Sequence, residues 1–357
     1  MRGRDQRAWV EVDLPAVLEN ARTVARAAGA RLLPIVKANA YGVGAVAVSK
    51  ALEQLDPWGY GVATIDEGAE LRAAGITRPV LVFMPARPAL FDQVDQFRLT
   101  PALGDAASIW EWTARGERAF HVEIDTGMGR SGVRWDEIDG LREALDTPYL
   151  EGCYTQFHSS DRTDGSAERQ LERFLQAVGR IPRRPPLLHV ANSAAALRDR
   201  KFAFDLIRPG VYLYGGSPGE GLHEGRPVVS LRARVLSVRR VRRGESVSYN
   251  AQWTAPRDTT VATLGIGYAD GLRRSLGLSG KAHVLLNGAR CPIIGMVTMD
   301  LTMIETGESP VAVGDTATLV GEAPGGRISL EEFASWSGEL QREFLTGLGP
   351  RLPRIYD

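Results

Sequence analysis

The sequence contains little cysteine and has no excess of charge of either sign. Cys153 and Cys291 are too few for a disulfide scaffold and do not have CxxC spacing, which indicates a reducing, cytoplasmic setting. The 43 basic and 43 acidic residues give a formal net charge of zero, so the sequence offers no electrostatic basis for binding nucleic acid. No apolar run approaches the roughly 18 residues that cross a bilayer. We therefore expect a soluble, cytoplasmic protein that binds neither nucleic acid nor membranes.

Lysine and histidine are also scarce. Only Lys37, Lys50, Lys201 and Lys281 are lysines, so a lysine at the end of an apolar strand is conspicuous. The five histidines are dispersed and do not have the spacing of metal ligands, so no metal site is expected.

Short apolar runs rich in β-branched residues alternate with helical patterns from residue 32 to residue 208. Thr64 and Glu67, for example, have the spacing of a capping box at the start of a helix. Eight alternating β/α units favour a (β/α)₈ TIM barrel, an α/β fold, over an open doubly wound sheet. The predicted strands are Leu32–Lys37, Gly59–Ala63, Val80–Met84, Thr100–Leu103, Ala119–Asp125, Leu150–Phe157, Leu187–Ala191 and Phe204–Arg208.

The pattern changes after a Gly- and Pro-rich connector, Gly215–Pro227. Beyond it, strands follow one another with short turns, and Asn287-Gly288 is a hairpin signal. We predict a barrel domain over 1–227 and a smaller, mostly-β C-terminal domain over 228–357, with a helix near Glu331–Phe344. The clearest strands of the second domain are Leu231–Arg239, Thr260–Gly265, Ala282–Leu286 and Ala317–Val320.

Polar residues occupy the interior face of two predicted barrel strands. In Ala119–Asp125 the side chains of His121, Glu123 and Asp125 alternate with apolar ones, and Tyr154, Gln156 and His158 share one face of the next strand. A buried charge without a partner costs several kcal/mol, so these residues require partners inside the barrel. They form either a purely structural hydrogen-bond network or part of a site.

Residues suited to catalysis follow the carboxyl ends of the predicted strands, where barrel enzymes place their sites. Lys37 ends the first strand, Arg130 follows the fifth, Ser193 the seventh, and Arg208 and Gly210 the eighth. A lysine with a lowered pKa forms a Schiff base with a carbonyl cofactor, and Ser hydroxyl and Gly amide groups bind phosphate. The combination predicts a pyridoxal-phosphate site.

Motifs along nearly the whole chain resemble the alanine racemase family, in the order that the family has them. Each motif is weak alone, but the ordered set is specific. The matching segments are Val36–Gly42, Asp125–Arg130, His189–Ser193, Arg208–Val211, Ser248-Tyr249, Gly267–Gly271, Met299-Asp300 and Arg351–Tyr356.

The resemblance implies racemisation of L-alanine and D-alanine with pyridoxal 5′-phosphate, supplying D-alanine for cell-wall synthesis. It implies that Lys37 carries the cofactor covalently and acts as one base. Tyr249 of the partner subunit acts as the second base on the opposite face of the substrate, which accounts for inversion. The phosphate group is then bound by Tyr41, Ser193, Gly210, Val211 and Tyr356.

The same resemblance assigns the remaining contacts. Arg208 faces the pyridine nitrogen and, as a permanent cation, keeps it unprotonated. Arg130 contacts the phenolic oxygen of the cofactor and the substrate carboxylate, which the backbone of Met299 from the partner also helps to hold. Tyr268 and Asp300 line the entrance. Because each site takes residues from two chains, an obligate head-to-tail homodimer is expected.

The sequence departs from the family at three places. Glu123 stands where many members have a carbamylated lysine, and we hypothesise that its carboxylate supplies the negative charge that holds Arg130. Gln156 replaces the histidine that usually contacts the catalytic tyrosine, while His158 lies two residues further on; a shifted pH–rate profile is therefore predicted. Thr298 replaces a common cysteine.

Other functions remain open from the sequence. A racemase of serine or another small amino acid keeps the same mechanism, and relative turnover distinguishes it. A decarboxylase of the same barrel class is disfavoured by the motif around Tyr249. A non-catalytic pyridoxal-phosphate carrier has no need of a second base, and deuterium uptake at the α-carbon of alanine separates it from a racemase.

Overall fold

Eight short parallel strands form a closed ring in the computed structural model, which describes residues 6–357. Hydrogen-bonded pairs and two isolated bridges, Ile35 to Gly61 and Asn192 to Arg208, complete the ring. This confirms the predicted (β/α)₈ barrel, although most strands are shorter than predicted because their ends pass directly into loops. The strands are β2 (Arg31–Leu32), β3 (Tyr60–Val62), β4 (Val80–Val82), β5 (Thr100–Leu103), β6 (Phe120–Asp125), β8 (Leu150–Tyr154), β9 (Leu187–His189) and β10 (Leu206–Ile207), with β7 (Val133–Arg134) paired beside β6.

Helices surround this ring. The first, α1, begins at the cap residue Asp13, whose carboxylate accepts the Ala16 amide at 2.7 Å, and ends at Gly29 with a positive φ of 71°. The predicted capping box of Thr64 and Glu67 is confirmed at the start of α3. The helices of this part are α1 (Leu14–Ala28), α2 (Ala45–Leu52), α3 (Ile65–Ala73), α4 (Phe91–Gln96), α5 (Ala106–Ala114), α6 (Arg142–Leu145), α7 (Ser166–Val178) and α8 (Ser193–Arg198).

The barrel axis is filled by apolar side chains from six different strands or strand extensions. Outward-facing residues such as Val122 pack instead under the helices. The alternation predicted for β6 is therefore present, with His121 and Glu123 buried on the inner side. The axial cluster consists of Leu33, Leu81, Ala102, Tyr154, Leu187 and Leu206.

The C-terminal part is a second closed barrel, antiparallel and six-stranded. The long strand β11 pairs with both β14 and β18, which closes the ring β11-β14-β17-β16-β15-β18. The Asn287-Gly288 hairpin turn joins β15 to β16 as predicted. The strands are β11 (Val229–Val241), β12 (Ser246–Val247), β13 (Trp253–Thr254), β14 (Thr259–Leu264), β15 (His283–Leu286), β16 (Ala289–Ile294), β17 (Thr302–Glu305), β18 (Thr316–Ala323), β19 (Gly326–Ile328) and β20 (Arg354–Tyr356).

Both ends of the described chain lie in this second sheet. The first strand, β1 (Ala8–Val12), pairs antiparallel with β11 and parallel with β20, although the sequence assigns its residues to the first domain. The single helix predicted near Glu331–Phe344 is two helices, α9 (Leu330–Ser337) and α10 (Gln341–Gly347), because Gly338 ends α9 at a φ of 77°. No helix within residues 6–357 combines the length and the hydrophobicity needed to cross a membrane.

A buried carboxylate, Asp270, joins the two chain ends to the second barrel. Arg7 donates to both oxygens of Asp270 at 2.8 and 2.6 Å, and Arg351 lies 3.2 Å away. Burial alone raises the pKa of this carboxyl group, but the hydrogen bonds from Arg7 and the Gly267 amide and the charges of both arginines outweigh it, so the pKa is lowered.

We predict that Asp270→Asn lowers the free energy of unfolding by about 2 kcal/mol, because a neutral amide replaces the buried carboxylate that accepts charge-assisted hydrogen bonds from Arg7. Since the folded-state pKa lies below the unfolded value of about 4, the stabilisation is complete above that pH and is lost as the pH falls through the lower folded-state value. Urea unfolding followed by circular dichroism measures both effects. The control is Asp56→Asn, which removes an exposed partner of Arg78; an equal loss in both variants would contradict the prediction.

Candidate active site

Lys37 lies at the start of a left-handed helical turn, Lys37–Tyr41, rather than at the end of a strand as predicted. Ala38, Asn39, Ala40 and Tyr41 all have φ between 51° and 56°. Non-glycine residues rarely adopt this conformation, and each costs about 1–2 kcal/mol. Such strain persists only where surrounding contacts determine the backbone, and it is concentrated at functional sites.

Side chains from the barrel hold this turn. The Glu67 carboxylate accepts the Ala38 amide at 2.7 Å and the Ala63 amide at 2.6 Å, so the capping residue of α3 also fixes the start of the turn. The Tyr41 ring stacks on the ring of Tyr214 with centroids 4.9 Å apart. The sequence indicated Glu67 only as a helix cap, and its second contact depends on the fold.

The C-terminal residues hold the other end of the turn. Arg354 donates to the carbonyl oxygen of Gly42 at 2.9 Å, and the Tyr356 hydroxyl donates to that of Val43 at 3.1 Å. A Cβ atom at Gly44 would collide with the Tyr356 hydroxyl, so glycine is required there. Tyr356 thus reaches the loop after Lys37, although it does not line the cavity described next.

A cavity of about 440 Å³ opens at the carboxyl ends of the barrel strands. It brings together Lys37, Arg130 and Arg208 with predicted phosphate-binding residues from three different strand ends. A smaller cavity of about 80 Å³ lies between the connector and α9 and is lined by none of the predicted site residues. The other predicted residues lining the large cavity are Tyr41, Gln156, His158, Ser193, Gly210 and Val211.

The protein environment favours the neutral form of the Lys37 amine. Burial lowers its pKa, the Arg130 charge lowers it further, and Glu67 opposes both effects. Within residues 6–357 the amine makes no ion pair or hydrogen bond. The amine therefore loses its proton more readily than an exposed lysine does, as the formation of a Schiff base requires.

An anion cradle lies beside this amine. The Ser193 hydroxyl oxygen accepts the Gly210 amide at 3.0 Å, and a Cβ atom at Gly210 would lie 2.5 Å from the Tyr41 hydroxyl. Only glycine therefore leaves room for Tyr41, and this close approach places two hydroxyl groups and the Val211 amide around one space, while the Gly210 amide holds Ser193. These donors fit a phosphate group, which accepts hydrogen bonds on several oxygens.

Arg208 is a buried residue that lines the cavity, and it donates in two directions. Nη1 donates to Nδ1 of His189 at 3.0 Å and to the His189 carbonyl oxygen. Nη2 donates to the Thr155 carbonyl oxygen at 2.7 Å and to Oε1 of Gln156 at 3.3 Å. Burial lowers its pKa to about 10, which still leaves it cationic at neutral pH. Gln156 therefore contacts Arg208 in this chain.

Glu123 lies beside Arg130, as its hypothesised role requires. Its carboxylate is buried, accepts the Ser131 hydroxyl at 2.8 Å and lies 3.8 Å from the Arg130 guanidinium. The Tyr154 hydroxyl is buried in the cavity wall, within reach of the Glu123 carboxylate. Its pKa is raised by burial and then by the charge of Glu123.

Gln156 and His158 lie beyond the end of β8, which stops at Tyr154 instead of reaching Phe157. The period-2 argument that placed both on one strand face does not apply there, yet both line the cavity. The His158 side chain is exposed and its Nδ1 lies 2.8 Å from the Ser159 hydroxyl.

The predicted site residues of the second barrel are exposed. The Ser248 hydroxyl donates to the Met296 carbonyl oxygen at 2.7 Å, and the Tyr268 amide to that of Thr298 at 2.9 Å, so three loops lie together. Tyr249, Met299 and Tyr268 are 66%, 52% and 39% exposed, and Asp300 pairs with Arg351 at 2.6 Å. In the described chain none of these four lines the large cavity.

Arg342 is one of the cavity residues that the sequence analysis missed. It lies near the start of α10 and lines the cavity. Burial raises the pKa of the Tyr41 hydroxyl, and the positive charge of Arg342 lowers it by a smaller amount. No local pattern marks it, because its approach to the barrel mouth depends on how the C-terminal helices pack. The described residues contain no cluster of His, Cys, Asp and Glu suited to a metal ion.

These features define a class of protein: a two-domain barrel protein whose cavity, at the carboxyl ends of the strands, presents a lysine amine and a group of donors that fit a phosphate. Comparisons with known proteins agree. The protein-family model "Alanine racemase, N-terminal domain" matches residues 12–218, and the family model "Alanine racemase, C-terminal domain" matches residues 228–356. The chain belongs to the alanine racemase family.

Individual relatives cover nearly the full chain. The alanine racemases of Carboxydothermus hydrogenoformans and Geobacillus kaustophilus are 38% and 36% identical to this chain. Each match covers 98% of this chain, and they cover 99% and 94% of the two relatives, respectively. The crystal structure of the Bacillus anthracis enzyme with bound L-Ala-P has a TM-score of 0.91 at 33% identity, covering 99% of this chain and 95% of that one. The Bartonella henselae enzyme with covalently bound pyridoxal phosphate has a TM-score of 0.91 at 28% identity, covering 99% and 100%.

We predict that Glu123→Gln raises the KM for the amino-acid substrate about tenfold, because Arg130 loses the carboxylate that orients it. Removing bicarbonate from the buffer has no effect on the unmodified protein, since Glu123 needs no carbon dioxide. Steady-state kinetics and cofactor titration measure the change. The control Glu137→Gln removes an exposed partner of Arg134 and leaves KM unchanged. A Glu123→Gln protein with full activity and cofactor affinity would exclude the hypothesis.

Proposed function

We propose that this chain interconverts L-alanine and D-alanine with pyridoxal 5′-phosphate as its cofactor. The observation that carries the proposal is the unpaired Lys37 amine, whose pKa is lowered and which opens on the same cavity as the anion cradle. Membership of the alanine racemase family supports the reaction and the cofactor.

The residues present fit the cofactor. Lys37 would hold the aldehyde carbon of the cofactor. The phosphate would lie in the cradle formed by Tyr41, Ser193, Gly210 and Val211. Tyr356 would contribute indirectly, by holding the loop after Lys37. Arg208 would face the ring nitrogen, and its positive charge would keep that nitrogen unprotonated. When bound, pyridoxal phosphate supplies an electron-withdrawing ring that acidifies the α-proton of the amino acid.

The chain itself moves protons at two atoms in this proposal. Nζ of Lys37 takes or returns the α-proton on one face of the substrate, and Oη of Tyr249 from the partner subunit does so on the other. Two bases on opposite faces are needed because a single base returns the proton to the side it left. Arg130 and the Met299 backbone orient the substrate carboxylate, while Tyr268 and Asp300 border the entrance.

We also propose a head-to-tail homodimer. The exposure of Tyr249 and Met299 supports it, since both are large side chains left uncovered on loops that hydrogen bonds hold together. In such a dimer His158 is a candidate for tuning the pKa of Tyr249, because Gln156 is engaged with Arg208. Both cysteines are free thiols, which supports a reducing cytoplasmic location, where D-alanine would supply cell-wall precursors.

We predict that the protein exchanges the α-proton of both alanine enantiomers in D₂O and that Tyr249→Phe slows exchange from one enantiomer about 100-fold more than from the other. Proton NMR with chiral chromatography measures this, and serine in parallel tests the substrate. Tyr149→Phe, remote from the cavity, is the matched control. Borohydride reduction should label the peptide containing Lys37; a label elsewhere, or equal slowing of both enantiomers, would overturn the assignment of the two bases.

We predict that a mixture of two inactive variants, Lys37→Ala and Tyr249→Ala, recovers about a quarter of the normal activity after their subunits exchange. Half of the dimers are then mixed, and each mixed dimer has one site with both bases intact. Activity assays before and after exchange, with size-exclusion chromatography, measure the recovery. If both bases came from one chain, mixing would restore nothing.

A further inference from the structure

A chain of hydrogen bonds leads from Arg208 away from the cavity and along the inside of the barrel. Nη1 of Arg208 lies 3.0 Å from Nδ1 of His189, and Nε2 of His189 lies 2.8 Å from Nδ1 of His121. Nε2 of His121 in turn lies 3.3 Å from a carboxylate oxygen of Glu151. Both histidines are wholly buried, whereas the Glu151 side chain is 31% exposed.

The direction of every bond in this chain follows from its first member. A guanidinium group only donates, so Nδ1 of His189 must accept and the His189 proton must sit on Nε2. That proton is donated to Nδ1 of His121, whose own proton therefore also sits on Nε2 and points to the acceptor-only carboxylate of Glu151. Both histidines are thus neutral and in one defined tautomer.

Electrostatics agree with this assignment. Burial lowers the pKa of both rings, and the Arg208 charge lowers each further. For His121 the hydrogen bond to Glu151 opposes the effect of burial. A protonated His189 would direct an N–H group at the Arg208 guanidinium and place a second cation beside it.

Packing holds the rings in place. A Cβ atom at Gly152 would lie 2.5 Å from the His121 ring, so glycine provides the space that the ring fills. Tyr154 stacks on His189 with centroids 5.0 Å apart and an interplanar angle of 14°. These contacts hold both rings in their observed orientation, in which the tautomers decide which hydrogen bonds are made.

We propose that Glu151 and His121 are positioning residues that fix the tautomer of His189 and, through it, the orientation of the Arg208 guanidinium under the cavity. The other arm of Arg208 is anchored separately on Thr155 and Gln156. The first arm also donates to the His189 carbonyl oxygen, so losing the ring contact removes one of its two acceptors and loosens the guanidinium plane without freeing it. The effect on catalysis rests on the proposed function, in which Arg208 faces the cofactor ring.

The tautomers are tested in the purified protein labelled with ¹⁵N-histidine, by long-range ¹H–¹⁵N NMR. Five histidines give few signals, and single substitutions assign them. We expect both His121 and His189 as neutral Nε2–H tautomers. In Glu151→Leu the His121 proton loses its acceptor, so both signals move. Glu143→Gln, which removes an exposed carboxylate from the helix before the same strand, moves neither. A charged or Nδ1–H form of His189 in the unmodified protein overturns the proposal.

Kinetics and absorbance test the consequence at the site. Glu151→Leu should lower kcat for alanine about tenfold, the size of effect found when a residue that orients a functional histidine is removed. KM should change less than twofold, and the absorbance band of the cofactor should shift. Glu151→Gln keeps an acceptor oxygen and should restore most of kcat, which a loss of folding would not explain. Normal kcat and an unshifted band in Glu151→Leu would refute the positioning role. An unmodified protein with the expected tautomers but no racemase activity would instead refute the proposed function.

Discussion

The left-handed turn after Lys37 is the constraint on which the site depends. Four consecutive non-glycine residues, Ala38 to Tyr41, hold positive φ angles, at a total cost of about 4–8 kcal/mol. This strain is offset by contacts from outside the turn: the Glu67 carboxylate and the stacked ring of Tyr214 on the barrel side. Contacts from other elements therefore fix the conformation of the turn. For this reason the local sequence of Ala38 to Tyr41 does not decide the direction in which Lys37 leaves the barrel.

The end of the chain contributes to the same constraint. The last strand, β20, runs parallel to β1, and β1 is fixed to the second barrel through β11. From that position Arg354 and Tyr356 bond the carbonyl oxygens of Gly42 and Val43. The second barrel therefore acts on the first within one chain, quite apart from any contact between subunits. This explains physically why the family motifs reach from residue 36 to residue 356.

The sequence predicts the barrel well and the local geometry of the site poorly, for identifiable reasons. Period-2 alternation places His121 and Glu123 inside, and both are buried there, because strand geometry is local. The left-handed turn has no such signal, since alanine, asparagine and tyrosine favour other conformations when alone. The position of β1 is equally hidden, because its partner β11 is more than 200 residues away in sequence. Arg342 reaches the cavity for the same long-range reason.

The loop that carries Tyr249 presents a similar strain in a different setting. Ser248, Asn250 and Ala251 have φ of 71°, 58° and 50°, yet Tyr249 between them is 66% exposed. The Ser248 hydroxyl is anchored on the carbonyl oxygen of Met296, but the tyrosine side chain lies in solvent. In one isolated chain the strained backbone costs free energy, and the uncovered aromatic ring makes no packing contact that would offset it. The benefit arises if that ring enters the cavity of a second copy, where the proposed mechanism lacks its second base.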